Sequence, residues 1–336
     1  MKPDIQQILL SKIKEKIVGS DSLGHVLSDT LHISSDAAYR RKRGETPFTI
    51  QEIQKLCNKF NISFDAICNI ASGNVSFAYN PLDNYDFSLE SYLQNLAEAF
   101  RNLNQTTNPK IVLTANNIAI FQLLNFPHLV RFRLYFWAKT HLQIKEYQNT
   151  LFEHEKVTPN AYTIGREILQ HYNRVTTHEC YDPEFLKGLL RQIHYYASAH
   201  LFGDPYYALR LIDEVKMMAD HIKSQSAIGM KYIYGEQPPA DGCAYHVYLN
   251  DTINTDNTFY YSSDQTEGIY IAHNHMNYLH TTDERYTRES KLIIDKQLAN
   301  SSLISRTNEK ERNSFFHKID MNIKLFRQKI EADILI

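Results

Sequence analysis

The sequence has little of what a metal enzyme, a nucleotide-binding enzyme or a membrane protein needs. Four cysteines are scattered over 336 residues without a CxxC pair, which argues against zinc ribbons and favours a reducing compartment. Eleven glycines leave little room for phosphate-binding loops, and no nucleophile elbow or paired-carboxylate motif occurs. No apolar run is long enough to cross a bilayer, and the N-terminus carries charges throughout, unlike a signal peptide. We therefore expect a soluble cytoplasmic protein that is not an enzyme, with no catalytic residues, cofactor or metal.

The chain also lacks the excess of positive charge expected of a protein that binds nucleic acid over its whole surface. The net charge is −2, the hydrophobic fraction is 43% and the charged fraction is 22%. This composition is typical of a globular protein, and the length allows two or three domains. A strongly basic segment on a nearly neutral chain indicates one module dedicated to binding nucleic acid, joined to regions with other roles.

That basic segment lies between residues 23 and 44. Leu23, Leu27 and Leu31 are spaced four apart, which puts them on one face of a helix. Ser34 or Ser35 can cap a second helix, which carries Asp36-Ala37-Ala38-Tyr39-Arg40-Arg41-Lys42-Arg43. Gly44 then provides the stop signal expected just past a helix. A basic helix packed on a short apolar helix is typical of a DNA-reading motif.

The same residues resemble a known family, the helix-turn-helix of phage Cro and repressor proteins and of xenobiotic-response-element-type regulators. The matching positions are Leu27, Leu31, Ile33-Ser34, Arg43-Gly44, Ile50, Ile53, Leu56, Phe60 and Ile62-Ser63. Two positions depart from the family pattern: basic residues replace the glutamate before the glycine, and Ser28 replaces an alanine of the first motif helix. The resemblance covers about the first fifth of the chain. It implies a five-helix lambda-repressor-like domain that binds double-stranded DNA.

The resemblance also implies which residues meet DNA. Ser35, Asp36, Ala37 and Arg40 occupy the positions that face base edges, and Arg40 is the expected reader of guanine O6 and N7. The remaining candidates are expected to contact phosphates or neighbouring structure: Ser34, Tyr39, Arg41, Arg43, Thr46 and Thr49. A solvated basic face on a protein-interaction module is the competing interpretation of the same helix.

The rest of the chain predicts a mainly α fold with three parts. We expect the DNA-binding domain at 1–72, a helical dimerisation or sensing region at 73–230, and a small α/β effector module at 231–336. Within the module, short strands are expected at Tyr245 to Leu249, Thr258 to Ser262 and Gly268 to His273.

Two clusters in the module invite a functional interpretation. His273 and His275 would share one face of a strand, a spacing compatible with a metal, although no supporting ligand pattern accompanies them. Six tyrosines offer rings with hydroxyl groups that could line a pocket or simply pack a sheet on helices: Tyr245, Tyr248, Tyr260, Tyr261, Tyr270 and Tyr278.

Together these observations predict a sequence-specific transcriptional regulator that binds DNA as a homodimer and responds to a small-molecule or peptide effector. The aromatic helix Leu129 to Leu142 and the final helix are the expected dimer surfaces. A first alternative is a peptide- or partner-binding regulator that uses helical hairpins between residues 140 and 230 as a receptor. A second alternative is an enzyme tethered to DNA, which would need a deep C-terminal pocket with a titratable pair or a metal.

Overall fold

The computed structural model describes residues 4–17, 22–60, 62–64, 67, 74–79, 88–157, 160–252, 257–273 and 276–335. Contacts divide the chain into two compact units, Met1–Ser76 (unit 1) and Phe77–Ile336 (unit 2). Within the described ranges, no helix is both long enough and apolar enough to cross a membrane.

Unit 1 is a small helical domain. Its helices are α1 (Ile5–Lys16), α2 (Leu23–Leu31), α3 (Ser35–Lys42) and α4 (Ile50–Phe60). The buried side chains of its core are Leu9, Leu10, Ile13, Leu27, Leu31, Ala38, Phe48, Leu56, Cys57 and Ile67. Most of the fifth helix that we expected before residue 72 lies outside the described residues.

The turn between α2 and α3 is tight and is held by side chains. His32 ends α2 in the left-handed conformation with φ 56°. The Ser28 hydroxyl donates to the Ile33 carbonyl at 2.7 Å, and Ser34 Oγ accepts from Ala37 N at 3.3 Å. Ser34, not Ser35, is therefore the cap of α3. Beyond α3, Gly44 has φ 80°, which confirms the predicted stop signal.

Unit 2 is built around a mixed sheet with strand order β6-β5-β4-β1-β2-β3-β7. The strands are β1 (Lys110–Ala115), β2 (Thr176–Tyr181), β3 (Tyr245–Leu249), β4 (Thr258–Ser262), β5 (Glu267–Ala272), β6 (Tyr278–Thr281) and β7 (Ser302–Leu303). β1, β2 and β3 run parallel, and the remaining neighbours are antiparallel.

Helices surround this sheet. They are α5 (Leu89–Asn104), α6 (Ile120–Leu123), α7 (Pro127–Phe136), α8 (Lys145–Gln148), α9 (Ala161–Tyr172), α10 (Lys187–Ser198), α11 (Tyr207–Ile228), α12 (Glu284–Ala299) and α13 (Glu309–Ile334). A π-helical turn, Trp137–His141, continues α7, and a 3-10 turn spans His154–Lys156. One face of the sheet packs into the large core of the unit, and the other packs partly under Ile294 of α12.

The two regions that we expected at 73–230 and 231–336 share this sheet. β1 and β2, from the first region, lie between β4 and β3, from the second, so no structural boundary falls at residue 230. The mainly α prediction holds at the coarse level, but the middle region is not purely helical. β1 reads KIVLTA, and a short buried apolar run cannot be told from a helix segment by periodicity alone. The helical-hairpin receptor has no support in the described residues. The chain between α9 and α10 forms β2, which pairs within the sheet, so the two helices are not joined as a hairpin.

The aromatic helix is not a dimer surface. Leu129, Phe132 and Leu134 are 0% exposed, and Trp137 is 7% exposed. The run is apolar because it lies inside the core of unit 2. By contrast, α13 keeps exposed apolar side chains beside its buried ones, with Met321 at 53% and Leu325 at 48% among them. Of the two helices that we proposed for dimer contact, the structure therefore leaves only the final one available.

Candidate nucleic-acid interface

The basic helix α3 is seated on α2 through a small residue and a tyrosine. Ala38 is fully buried. The Tyr39 ring lies against Gly24, where an added Cβ would come within 3.1 Å of Tyr39 Cζ. Lys42 Nζ lies 5.6 Å from the centroid of the same ring. This close approach of the two helices turns the other side of α3 toward solvent.

On that solvent side, Arg40 forms an ion pair with Asp36 one helical turn earlier. Arg40 Nη2 is 3.2 Å from Asp36 Oδ2, and the two side chains are 58% and 73% exposed. Exposed pairs of this kind contribute about 0.2–1 kcal/mol, because water competes for both charges. The pair therefore leaves Arg40 available to a stronger partner.

Arg41 is committed to the interior of unit 1. Its Nη2 donates to Glu52 Oε1 at 2.8 Å and its Nε to Glu52 Oε2 at 3.2 Å, and both side chains are 15% exposed. Glu52 Oε2 also accepts from Thr49 N, while Thr49 Oγ1 accepts from Glu52 N, a reciprocal cap at the start of α4. Arg41 thus ties α3 to α4, so of the two roles expected for it, phosphate contact or contact with neighbouring structure, the structure shows the second.

These contacts determine the charge state of Glu52. Burial opposes ionisation of the carboxyl group, but the hydrogen bonds from Thr49 and Arg41 outweigh burial and lower the pKa of Glu52. The carboxylate therefore stays ionised at neutral pH, opposite the cation that it holds.

Gln6 holds the loop between α3 and α4. Its Nε2 donates to Arg41 O at 2.8 Å and to Thr46 O at 3.0 Å, and its Oε1 accepts from Phe48 N at 3.0 Å. One amide thereby fixes three points of the loop that carries Thr46. The sequence pattern does not single out Gln6, which is a polar residue between apolar positions at the start of α1.

The predicted DNA-contacting residues divide by exposure. The exposed ones are Ser34, Ser35, Asp36, Tyr39, Arg40, Arg43 and Thr49, and the partly buried ones are Ala37, Arg41 and Thr46. Asp36, Arg40 and Arg43 follow a spacing of four and three residues, so they share one face of the helix. Arg43 Nε also donates to Glu45 Oε1 at 2.7 Å.

The structure describes only part of the two candidate clusters of the C-terminal region. His273 lies just past β5 with its ring 5.4 Å from that of Tyr79, whereas His275 lies outside the described residues. Among the residues that the structure describes, no group of three or more His, Cys, Asp or Glu is placed to hold a metal ion. Tyr245 and Tyr260 are at most 2% exposed and pack in the interior.

A polar cluster that the sequence did not predict lies at the centre of unit 2. Glu179, on β2, is 0% exposed. Its carboxylate accepts from the hydroxyls of Tyr172, Tyr181 and Tyr245, and from Gln122 Nε2 at 3.1 Å. Burial, together with the neighbouring carboxylate, raises the pKa of all three tyrosines well above the usual value. The phenols therefore remain neutral donors.

Lys231 supplies a cation beside this carboxylate. It is 1% exposed, and its Nζ donates to Tyr172 O at 2.7 Å, to Val175 O at 2.9 Å and to Thr177 Oγ1. Burial lowers the pKa of Lys231 to about 7, against the opposing effect of Glu179. All three ammonium protons have acceptors, so we interpret the cluster as a satisfied structural network.

Comparisons with protein-family models, with curated proteins and with solved structures found no match to this chain. The exposed face of α3 is therefore interpreted from its own geometry.

Proposed function

We propose that this chain is a sequence-specific DNA-binding transcriptional regulator, with α3 as the reading helix. The observation that carries the proposal is the exposed face formed by Asp36, Arg40 and Arg43, on a helix fixed to its neighbours by buried contacts. A reading helix must be rigid on one side and free on the other, because base contacts require side chains to be held in register with the groove.

Arg40 is the residue that we assign to base reading. A bidentate contact with guanine is worth about 1–3 kcal/mol of discrimination against the wrong base. The exposed pair with Asp36 is worth less, about 0.2–1 kcal/mol, so exchanging one for the other favours DNA. Asp36, once released, lies one turn away and can accept a hydrogen bond from the amino group of a cytosine.

The backbone contacts fall to other groups. Arg43 lies on the same face as Arg40, and the hydroxyls of Thr46 and Thr49 lie on the loop and cap that follow. Side chains of these types hold a protein in register on the phosphates without reading sequence. One small domain makes few such contacts, so we propose a homodimer that spans two half-sites about 34 Å apart.

The test compares two variants that each remove one cation from α3. Short duplexes that bind the full-length protein are first selected from a randomised pool. Affinity is then measured for a selected duplex and for random-sequence DNA. Arg40→Ala should lose about 5- to 150-fold on the selected duplex, corresponding to 1–3 kcal/mol, and much less on random DNA.

Lys42→Ala is the matched control, because Lys42 is also exposed on α3 but packs over Tyr39. It should weaken binding to both duplexes by similar small factors. Equal losses for Arg40→Ala on the two duplexes would remove its role in base reading. Failure of the selection to enrich any sequence would count against the proposed function as a whole.

A further inference from the structure

A cationic side chain lies in the core of unit 2 with no carboxylate beside it among the residues that the structure describes. Arg133, on α7, is 6% exposed, and its Nη1 donates to the neutral Gln192 Oε1 at 2.6 Å. No described Asp or Glu forms an ion pair with it, and the charged or phenolic group that acts on it is Tyr278. Buried arginines are almost always paired, because removing an uncompensated charge from water is costly.

Loss of the proton from Arg133 does not relieve this cost at neutral pH. Burial lowers the pKa of Arg133 to about 10, so the guanidinium keeps its charge at neutral pH. Tyr278 does not neutralise it, because burial raises the pKa of that phenol. Within the described part of the chain, no group therefore neutralises the guanidinium of Arg133.

Trp137, one helical turn after Arg133, presents a second unused donor. The guanidinium carbon lies 5.4 Å from the centre of the indole ring. Arg133 Nε and Trp137 Nε1 are both buried, and neither has a hydrogen-bond partner among the described residues. Buried donors left unpaired cost free energy, and each one calls for an explanation.

The backbone is unusual at the same place. A π-helical turn begins at Trp137 and runs to His141. Such turns are rare and occur often at functional sites, because they widen the helix and redirect the side chains around them. Here the π-turn begins at the residue that carries the unused indole N–H.

We propose that Arg133, Trp137 and Gln192 form a binding site for a small oxyanion of the carboxylate or phosphate class. The anion neutralises the guanidinium and accepts hydrogen bonds from Arg133 Nε and Trp137 Nε1, while Gln192 holds the other side of the guanidinium fork. The planar fork fits the paired oxygens of a carboxylate or phosphate, which a spherical halide does not offer. The low exposure of both side chains limits the ligand to a small group.

The chain carries its own probe for this site, because Trp137 is its single tryptophan. Full-length protein is titrated separately with acetate and with inorganic phosphate, with chloride at matched ionic strength as the reference, and the indole emission is recorded. A response that saturates in roughly the millimolar range with acetate assigns a carboxylate site, and one with phosphate assigns a phosphate site. Chloride should give no saturable response.

The variants test whether Arg133 is responsible. Arg133→Gln should weaken the response at least about tenfold, because the anion loses a charge-assisted hydrogen bond. Arg131→Gln is the matched control: it removes the same charge from the same helix, two residues away and so on a different face. It should keep the wild-type response.

A measurement on the wild-type chain covers the case in which Arg133→Gln does not fold. An anion that binds only the folded state raises the midpoint of urea unfolding as its concentration rises. The proposal is overturned if neither acetate nor phosphate gives a saturable response and neither raises the midpoint beyond chloride. It is also overturned if a folded Arg133→Gln responds as the wild type does.

Discussion

Replacing Lys231 with methionine removes a cation that unit 2 keeps fully buried. In the wild type, Lys231 Nζ donates to Tyr172 O, Val175 O and Thr177 Oγ1, and lies 3.7 Å from the centre of the Tyr172 ring. Methionine has a similar length but no donor. The three acceptors lose their partner, and Glu179 loses the neighbouring positive charge.

The expected loss is large. The substitution leaves three buried acceptors without their donor, and each buried polar group left unpaired costs about 1–3 kcal/mol. A natural domain is stable by only about 5–15 kcal/mol, so Lys231→Met should remove a substantial part of the free energy of unfolding of unit 2.

The same substitution should change how stability depends on pH. The pKa of Lys231 is about 7 in the folded protein and about 10.5 when unperturbed. Between these values the unfolded chain binds the additional proton, so the free energy of unfolding rises with pH, by at most about 1.4 kcal/mol per pH unit. Below pH 7 both states are protonated and this slope vanishes. Lys231→Met has no such group, so its difference from the wild type should widen from pH 7 to pH 9.

Urea unfolding followed by Trp137 emission measures both effects, because this tryptophan lies in unit 2. Lys291→Met is the control: the Lys291 side chain is 45% exposed and pairs with Asp295 one turn later on the surface of α12. It should change the free energy of unfolding by no more than about 0.5 kcal/mol. A loss below about 1 kcal/mol for Lys231→Met at pH 7, or a difference that stays constant with pH, would refute the reasoning.

Two further substitutions test unit 1 and the end of α11. Glu52→Gln should destabilise unit 1 by about 1–3 kcal/mol, seen as faster amide exchange in α3 and α4, because it weakens the contacts with Arg41 and Thr49. Since the folded-state pKa of Glu52 is lowered, its contribution is present above about pH 4.3 and is lost as the pH falls through the folded-state value. Protection factors in α3 and α4, corrected for the intrinsic exchange rate, that stay unchanged between about pH 5 and pH 3 would contradict this. Gly229→Ala should cost about 1 kcal/mol or more in urea unfolding. Gly229 ends α11 with φ 71°, and a Cβ there would lie 2.7 Å from Arg306 Cγ, so an unchanged midpoint would contradict this packing.

Local patterns predicted several elements well. Two strands, Tyr245–Leu249 and Thr258–Ser262, have the predicted bounds, because alternating aromatic and β-branched residues between polar connectors are a short-range signal. The N-cap of α3 at Ser34 and its end at Gly44 can also be predicted from the sequence, since each depends on a residue type at one backbone position.

The roles of the individual basic residues of α3 cannot be predicted from the sequence of that helix. Arg40 and Arg41 are adjacent in sequence, yet one is exposed on the candidate interface and the other is paired with Glu52, eleven residues later. Helical geometry limits how many basic residues share a face, but it does not say which face is covered. That depends on where α4 packs, which is a tertiary contact.

By itself, the sequence determined the two short helices and the tight turn between residues 23 and 42, the basic character of the second helix, and two of the short strands near the C-terminus. These depend on residues within a few positions of one another, whose steric and hydrogen-bonding preferences act locally. The tertiary structure alone decided that β1 and β2 join the later strands in one sheet, and that Lys231 meets the β2 region from more than fifty residues away. It also placed Arg133 in the core beside the neutral Gln192, with no carboxylate partner among the described residues. Contacts of this range depend on how whole elements pack, and no local pattern encodes them.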